Sequence, residues 1–195
     1  MSVTRKIIDE QGLPGAQARP IAEGAGCSVG TLYNVFDSLD TLILRANAQT
    51  LREYRAASRA TLDRAIRTGA TPTERLVALA RTYVDYAEAN TLRWAAVFEF
   101  RRPPDQEVPS WYREETRALF SIIEEAIVDL PGIRSDSMRI ETARSLWAAV
   151  HGVVALAFAG RISPIDASNV RRHVEIVVRA AASGLGGSAA VSGTA

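Results

Sequence analysis

Apolar residues recur three and four positions apart along most of the chain, and no apolar–polar alternation runs long enough to build a sheet. The pattern predicts an all-α protein. A short first helix is expected over residues 3–11, ended by Gly12, and a second over 17–24 with Pro20 in its first turn, where the missing N–H costs little. Gly24, Ala25, Gly26 and Cys27 form a break. Ser28 is placed to cap a third helix over 28–35, with Leu32 and Phe36 spaced i, i+4 towards a core. Ser38 caps a long fourth helix expected to reach Thr68 before Gly69 stops it. Thr71, Pro72 and Glu74 combine a hydroxyl cap, a proline at the first helical position and a carboxylate that closes a capping box. The helix they start puts Leu76, Leu79, Ala80, Tyr83 and Ala87 on one face and ends near Asn90. Further helices are predicted over 91–100, 110–130, 136–159 and 166–183; the second of these turns Leu119, Ile122, Ile123, Ala126, Ile127 and Leu130 inward. Breaks fall at residues 102–105, at Pro131 and Gly132, and at Gly160, Ser163 and Pro164. From Gly184 onward the chain is rich in Gly, Ala and Ser, and residues 184–195 are expected to form a disordered tail.

A short helix, a glycine turn and a second capped helix follow the order of a helix-turn-helix, whose second helix enters the DNA major groove. The outer face of such a helix needs small or polar residues, and Val29, Gly30, Thr31, Tyr33 and Asn34 supply them. With Ser28 at the helix start and Arg19 on the helix before, they make the candidate DNA-binding set. Tyr33 suits a phosphate, and Thr31 and Asn34 suit base edges. Charge pulls the other way. The formal net charge is only +1. Within residues 1–45, Arg5, Lys6, Arg19 and Arg45 are outnumbered by Asp9, Glu10, Glu23, Asp37 and Asp40.

The segment from Ala18 to Leu42 resembles the DNA-binding segment of the TetR family of regulators. The resemblance rests on Ile21 and Ala22, then Ala25, Gly26, Cys27 and Ser28, then Gly30, Thr31, Leu32 and Tyr33, then Phe36 and the capping Ser38. Cys27 stands where the family usually has valine and is read as a small buried hydrophobe. Val29 and Leu39 stand where lysines are common, Ala16 and Gln17 replace a phosphate-contacting Ser or Thr, and the first helix lacks an Arg-rich lead. Either the chain starts late, or its DNA affinity is modest, or the contacts come from Arg5, Lys6 and Arg19. Further on, Trp147, His151 and Gly152 resemble the Trp-His-Gly signature of one C-terminal domain type in this family. The resemblance implies a helix-turn-helix domain over 1–45, then a helical effector-binding and dimerisation domain over 46–183. It also implies an effector pocket, for which the aromatic residues of the middle helices are candidates: Tyr83, Tyr86, Trp94, Phe98, Trp111, Phe120, Trp147 and the nearby His151. The same rings serve equally well as plain core.

From Leu146 to Ala159 nearly every position is apolar, as expected of a helix buried on all sides. Ala148, Gly152, Ala155 and Ala159 are small enough to let another helix approach, and Val170, Val174, Val177, Val178 and Ala181 form a second stripe. Together they predict a homodimer through the two C-terminal helices, two from each subunit. The single cysteine, Cys27, leaves no internal disulfide or cysteine-rich zinc site and points to a reducing cytoplasm. No secretory signal opens the chain, and the stretch 147–160, interrupted by His151, is shorter than the ~20 residues of a membrane span. His151 and His173 lie on different helices with no Cys or acidic cluster beside them, so no metal is expected. Without a Gly-rich phosphate loop or a nucleophile elbow, neither a cofactor nor an enzyme is expected. The charged runs 52–55 and 113–117 read as solvated faces with i, i+4 pairs. The resemblance thus implies a ligand-responsive regulator, a repressor released from a near-palindromic operator by a small apolar effector. The alternative is a helical ligand-binding module with weak or lost DNA binding.

Overall fold

A computed structural model of the chain describes residues 1–103, 106–158 and 165–191. The helices are α1 (Ser2–Gly15), α2 (Ala18–Gly24), α3 (Val29–Val35), α4 (Leu39–Arg67), α5 (Pro72–Ala89), α6 (Thr91–Glu99), α7 (Ser110–Ala126), α8 (Asp136–Phe158) and α9 (Val170–Val191), with a 3-10 turn at Ala167–Asn169. No strand occurs among the described residues. The chain forms two compact units, Met1–Tyr54 with Ala87–Thr116, and Arg55–Tyr86 with Arg117–Ala195. Residues 1–45 therefore share their unit with 46–54 and with α6.

The predicted helix starts form as the capping chemistry requires. Ser28 Oγ accepts the Thr31 N–H at 3.0 Å, and Ser38 Oγ accepts the Thr41 N–H at 3.1 Å. The box at Thr71 closes both ways: its N–H and hydroxyl each donate to Glu74 Oε2 at 2.8 Å, and the Glu74 N–H donates back to Thr71 Oγ1 at 3.3 Å. These bonds hold the Glu74 carboxyl below its ordinary value.

Three boundaries differ from the sequence prediction. Gly12 does interrupt α1, at φ 69° and ψ −170°, but the chain resumes helical hydrogen bonding to Gly15 across Pro14. α7 ends at Ala126 rather than 130, and Leu130 stays buried in the turn that follows. α9 runs to Val191, so the expected tail begins as helix; residues 192–195 lie outside the described residues, as do those of the 159–164 and 104–105 breaks. A tertiary contact accompanies the longer α9. Gly132 sits at φ +98°, and a Cβ there would collide with the Leu185 carbonyl, so only glycine lets the α9 backbone come this close.

In the first unit Ile7, Ile8, Ile21, Ala22, Leu32, Leu42 and Ile43 form the core beneath the helix-turn-helix, with Ala96 of α6 closing it. Asn47, buried, donates to the Ala96 carbonyl at 3.1 Å and ties α4 to α6. In the second unit Leu76, Leu79, Ala80 and Tyr83 of the α5 pattern are buried, as are Leu119, Ile122, Ala126 and Ile127; Ile123 is half-buried, and Ala87, the last residue of the pattern, is buried in the first unit. On α9 Val170, Val174 and Val178 are buried, whereas Val177 and Ala181 are half-buried. Arg81 of α5 meets Glu175 of α9 at 2.6 Å, and Arg171 of α9 returns to Asp85 of α5 at 2.7 Å. Such exposed pairs contribute about 0–1 kcal/mol each, so they set register more than stability.

Candidate nucleic-acid and effector sites

The turn between α2 and α3 is set by Gly26. Its φ of +66° is open only to glycine at low cost, and it lets the Cys27 N–H reach back to the Ala22 carbonyl at 3.0 Å. α3 then leaves with Leu32 buried and Phe36 half-buried against the core. Opposite them Gly30, Thr31 and Asn34 are exposed, and Tyr33 is exposed on the flank. The outer face of α3 thus carries most of the residues the sequence selected. Ser28 is also exposed, but its hydroxyl is engaged with the Thr31 N–H and lies 2.9 Å from Thr31 Oγ1.

Val29 departs from expectation. It is half-buried and packs on the helix-turn-helix core together with Cys27 and Leu39, because the first turn of α3 points partly inward. Val35, which the sequence reading left out, is 66% exposed. Its position four residues after Thr31 was the available signal, since i and i+4 share a helix face.

The cations of this unit are unequal. Arg5 is not a free contact: its guanidinium meets Glu53 at 2.7 Å, and Glu53 also takes Arg93 at 3.3 Å. Arg45 lies over the Trp111 ring, 5.4 Å from the centroid. Arg52 of one predicted solvated face binds Glu115 of the other at 2.6 Å, a bond between helices rather than an i, i+4 pair. By contrast, the Lys6 and Arg19 side chains are 74% and 85% exposed, held only by surface partners one turn away, Glu10 at 3.9 Å and Glu23 at 2.9 Å.

The eight effector candidates fall into separate groups. In the second unit, Tyr83 Oη and His151 Nδ1 are 2.6 Å apart. The His151 ring stacks on Trp147 with centroids 5.0 Å apart, and Trp147 meets Phe120 edge-on at 5.5 Å. Burial pushes the His151 imidazole below its ordinary value, so it stays neutral at physiological pH. Tyr86 is half-buried in the same unit. In the first unit, Trp94 packs edge-on to both Tyr54 and Phe98, and Trp111 sits beneath Arg45 and against Tyr112, whose phenol burial pushes up to about 12.

An open groove of about 640 Å³ runs between α8 and α9, lined by Met138, Glu141, Thr142, Ser145, Leu146, Ala149, Ala181, Gly184 and Leu185. It includes none of the eight candidates. Beside it, Ala148, Ala155 and Leu156 of α8 and Ile176 of α9 are exposed. The apolar character of α8 is therefore split: Ala143, Leu146, Val150, Val154 and Ala157 are buried within the unit, and the remaining apolar face is uncovered. Among the described residues no group of three or more His, Cys, Asp or Glu could hold a metal ion, and no helix is long and apolar enough to cross a membrane.

Comparison with known proteins agrees with this architecture. No curated protein sequence matches the chain. The fold is similar to that of a protein with unknown function from Rhodococcus sp. RHA1, at 20% identity and TM-score 0.66, over 96% of this chain and 91% of that one. It is also similar to a TetR transcriptional regulator from Rhodococcus sp. RHA1, at 18% identity and TM-score 0.60, over 90% and 91%. The TetR family transcriptional regulator PfmR from Thermus thermophilus aligns at 18% identity and TM-score 0.58, over 91% and 95%. At these identities the likeness carries the fold. Residues 76–181 match the family described as Tetracyclin repressor-like, C-terminal domain, which is more than half of the chain. With the helix-turn-helix at one end and this domain at the other, the chain belongs to the TetR family of transcriptional regulators.

Proposed function

We propose that the protein is a ligand-responsive, DNA-binding repressor that works as a homodimer in the cytoplasm. The observation that carries this reading is the exposed outer face of α3, made of Gly30, Thr31, Asn34 and Val35 on a helix capped by Ser28 and backed by its own core. The uncovered apolar face of α8, with Ala148, Ala155 and Leu156, supports pairing of α8 and α9 with the same helices of a second copy about a two-fold axis. Two α3 helices would then enter successive major grooves about 34–36 Å apart on a near-palindromic operator. A small, largely apolar effector would bind among the aromatic residues of the middle helices, with the Tyr83–His151 pair as a polar handle. An effector that binds the off-DNA spacing more tightly lowers DNA affinity by that difference. Anisotropy titration of the protein against labelled duplex from its own upstream region tests the reading. Specific, salt-sensitive binding relieved by a ligand supports it, and its absence removes it.

A second reading, a helical ligand-binding module with weak or lost DNA binding, is favoured by one observation. No Lys or Arg occurs between Pro20 and Leu44, and Arg5 and Arg93 are committed to Glu53. Replacing Val29 and Leu39 by lysine discriminates. Both are half-buried, but a lysine stem can lie along the apolar core while its amine reaches water. Specific binding that appears only in the double variant identifies the module.

A further inference from the structure

The bases that α3 accepts follow from the chemistry its outer face offers. Guanine is most often selected by Arg or Lys bonded to its O6 and N7. No such group is present from Pro20 to Leu44, a span that covers the turn and the whole of α3. Two other cations of the same unit are directed elsewhere: Arg5 to Glu53 and Arg45 over Trp111. What α3 does expose is of one kind. Asn34 presents a carboxamide, whose paired donor and acceptor match adenine N6 and N7. Thr31 has its hydroxyl engaged 2.9 Å from Ser28 Oγ, so its methyl is the group left to offer. Val35, 66% exposed, adds two more methyls. Methyl groups of this sort meet the C5-methyl of thymine. Gly30 keeps the surface low beside Asn34, so the helix can come close to the base edges.

We infer that α3 is a reader of A·T base pairs, with Asn34 bonding adenine and Thr31 and Val35 packing on thymine methyls, and that the operator half-sites are A·T-rich beneath it. The inference rests on the DNA-binding function proposed above and adds the class of sequence recognised. Thr31, Asn34 and Val35 are the residues that set specificity; the Lys6 and Arg19 charges supply affinity that does not depend on sequence.

The test is selection of duplexes from a randomised pool by the full-length protein at low salt, followed by anisotropy with the selected duplex. Wild type should recover half-sites with a run of A·T pairs. Replacing the adenine opposite Asn34 by guanine should weaken binding roughly ten- to hundredfold. Asn34→Ala should abolish that preference, read as the ratio of affinities for the adenine and guanine duplexes, and Val35→Ser should lower discrimination between thymine and uracil at one position. Circular dichroism and thermal melting confirm that both surface variants fold. A G·C-rich consensus, or an adenine preference intact in Asn34→Ala, overturns the inference and leaves DNA binding standing. Recovery of no duplex overturns both.

Discussion

The Tyr83–His151 bond offers the sharpest single test of how the second unit is built. Tyr83 is among the most deeply buried large side chains, only 2% exposed, and its hydroxyl lies 2.6 Å from His151 Nδ1. We take the phenol as donor to Nδ1, with the imidazole's own hydrogen on Nε2; burial holds the imidazole below its ordinary value and so favours the neutral ring, in which Nδ1 can accept. Tyr83→Phe keeps the ring and deletes the bond, which costs about 1–2 kcal/mol at a buried position. For a chain of this length each kcal/mol moves Tm by roughly 2–4 °C, so the variant should melt about 2–8 °C lower. The pH dependence has a definite sign. A histidine whose folded value lies below its unfolded value binds fewer protons when folded, so its contribution is complete above the ordinary 6.5 and is lost as pH falls below it. Deleting a donor that favours the neutral ring should move the His151 value back up and flatten this slope. The chain has two histidines, so their ring resonances can be followed by NMR and assigned with His173→Gln. A Tyr83→Phe protein with unchanged Tm and an unmoved His151 titration would refute the assignment.

Raising salt from 50 to 200 mM should weaken operator binding on the order of a hundredfold: with Lys6 and Arg19 as the phosphate contacts of each subunit, the log–log slope is about −3.6, and a slope steeper than about −6 would mean that further cations engage. Ser28→Ala removes the α3 cap and should cost about 1 kcal/mol in urea denaturation, with a parallel loss of DNA affinity. Leu156→Glu puts a charge on the uncovered α8 face and should yield a folded monomer by sedimentation velocity; an unchanged dimer would place the interface elsewhere. Glu74→Gln should lower stability at neutral pH and reduce the decline that wild type shows as pH falls below the ordinary carboxylate value of 4.5, since the Thr71 bonds favour the ionised form.

Three helix starts were legible in the sequence because each depends on four neighbouring residues. Ser28 with Thr31, Ser38 with Thr41 and Thr71 with Glu74 need nothing from the rest of the chain, and the same locality makes the helix-turn-helix legible. Buried faces followed too, since period 3.6 assigns Leu76, Leu79 and Tyr83 to one side. Tertiary structure decided what depends on partners distant in sequence. It sent Arg5 to Glu53 and so withdrew a cation that composition counted as available for DNA. It turned Val29 partly inward, because the entry angle of a seven-residue helix sets which flank of its first turn meets the core. It kept α9 helical through Gly184 and Gly186, where propensity argues for coil at about 1 kcal/mol per glycine, with Leu185 seated against Gly132. And it divided eight similar aromatic candidates into separate clusters, since an aromatic side chain carries the same hydrophobic signal wherever it is buried and only the path of the backbone chooses its neighbours.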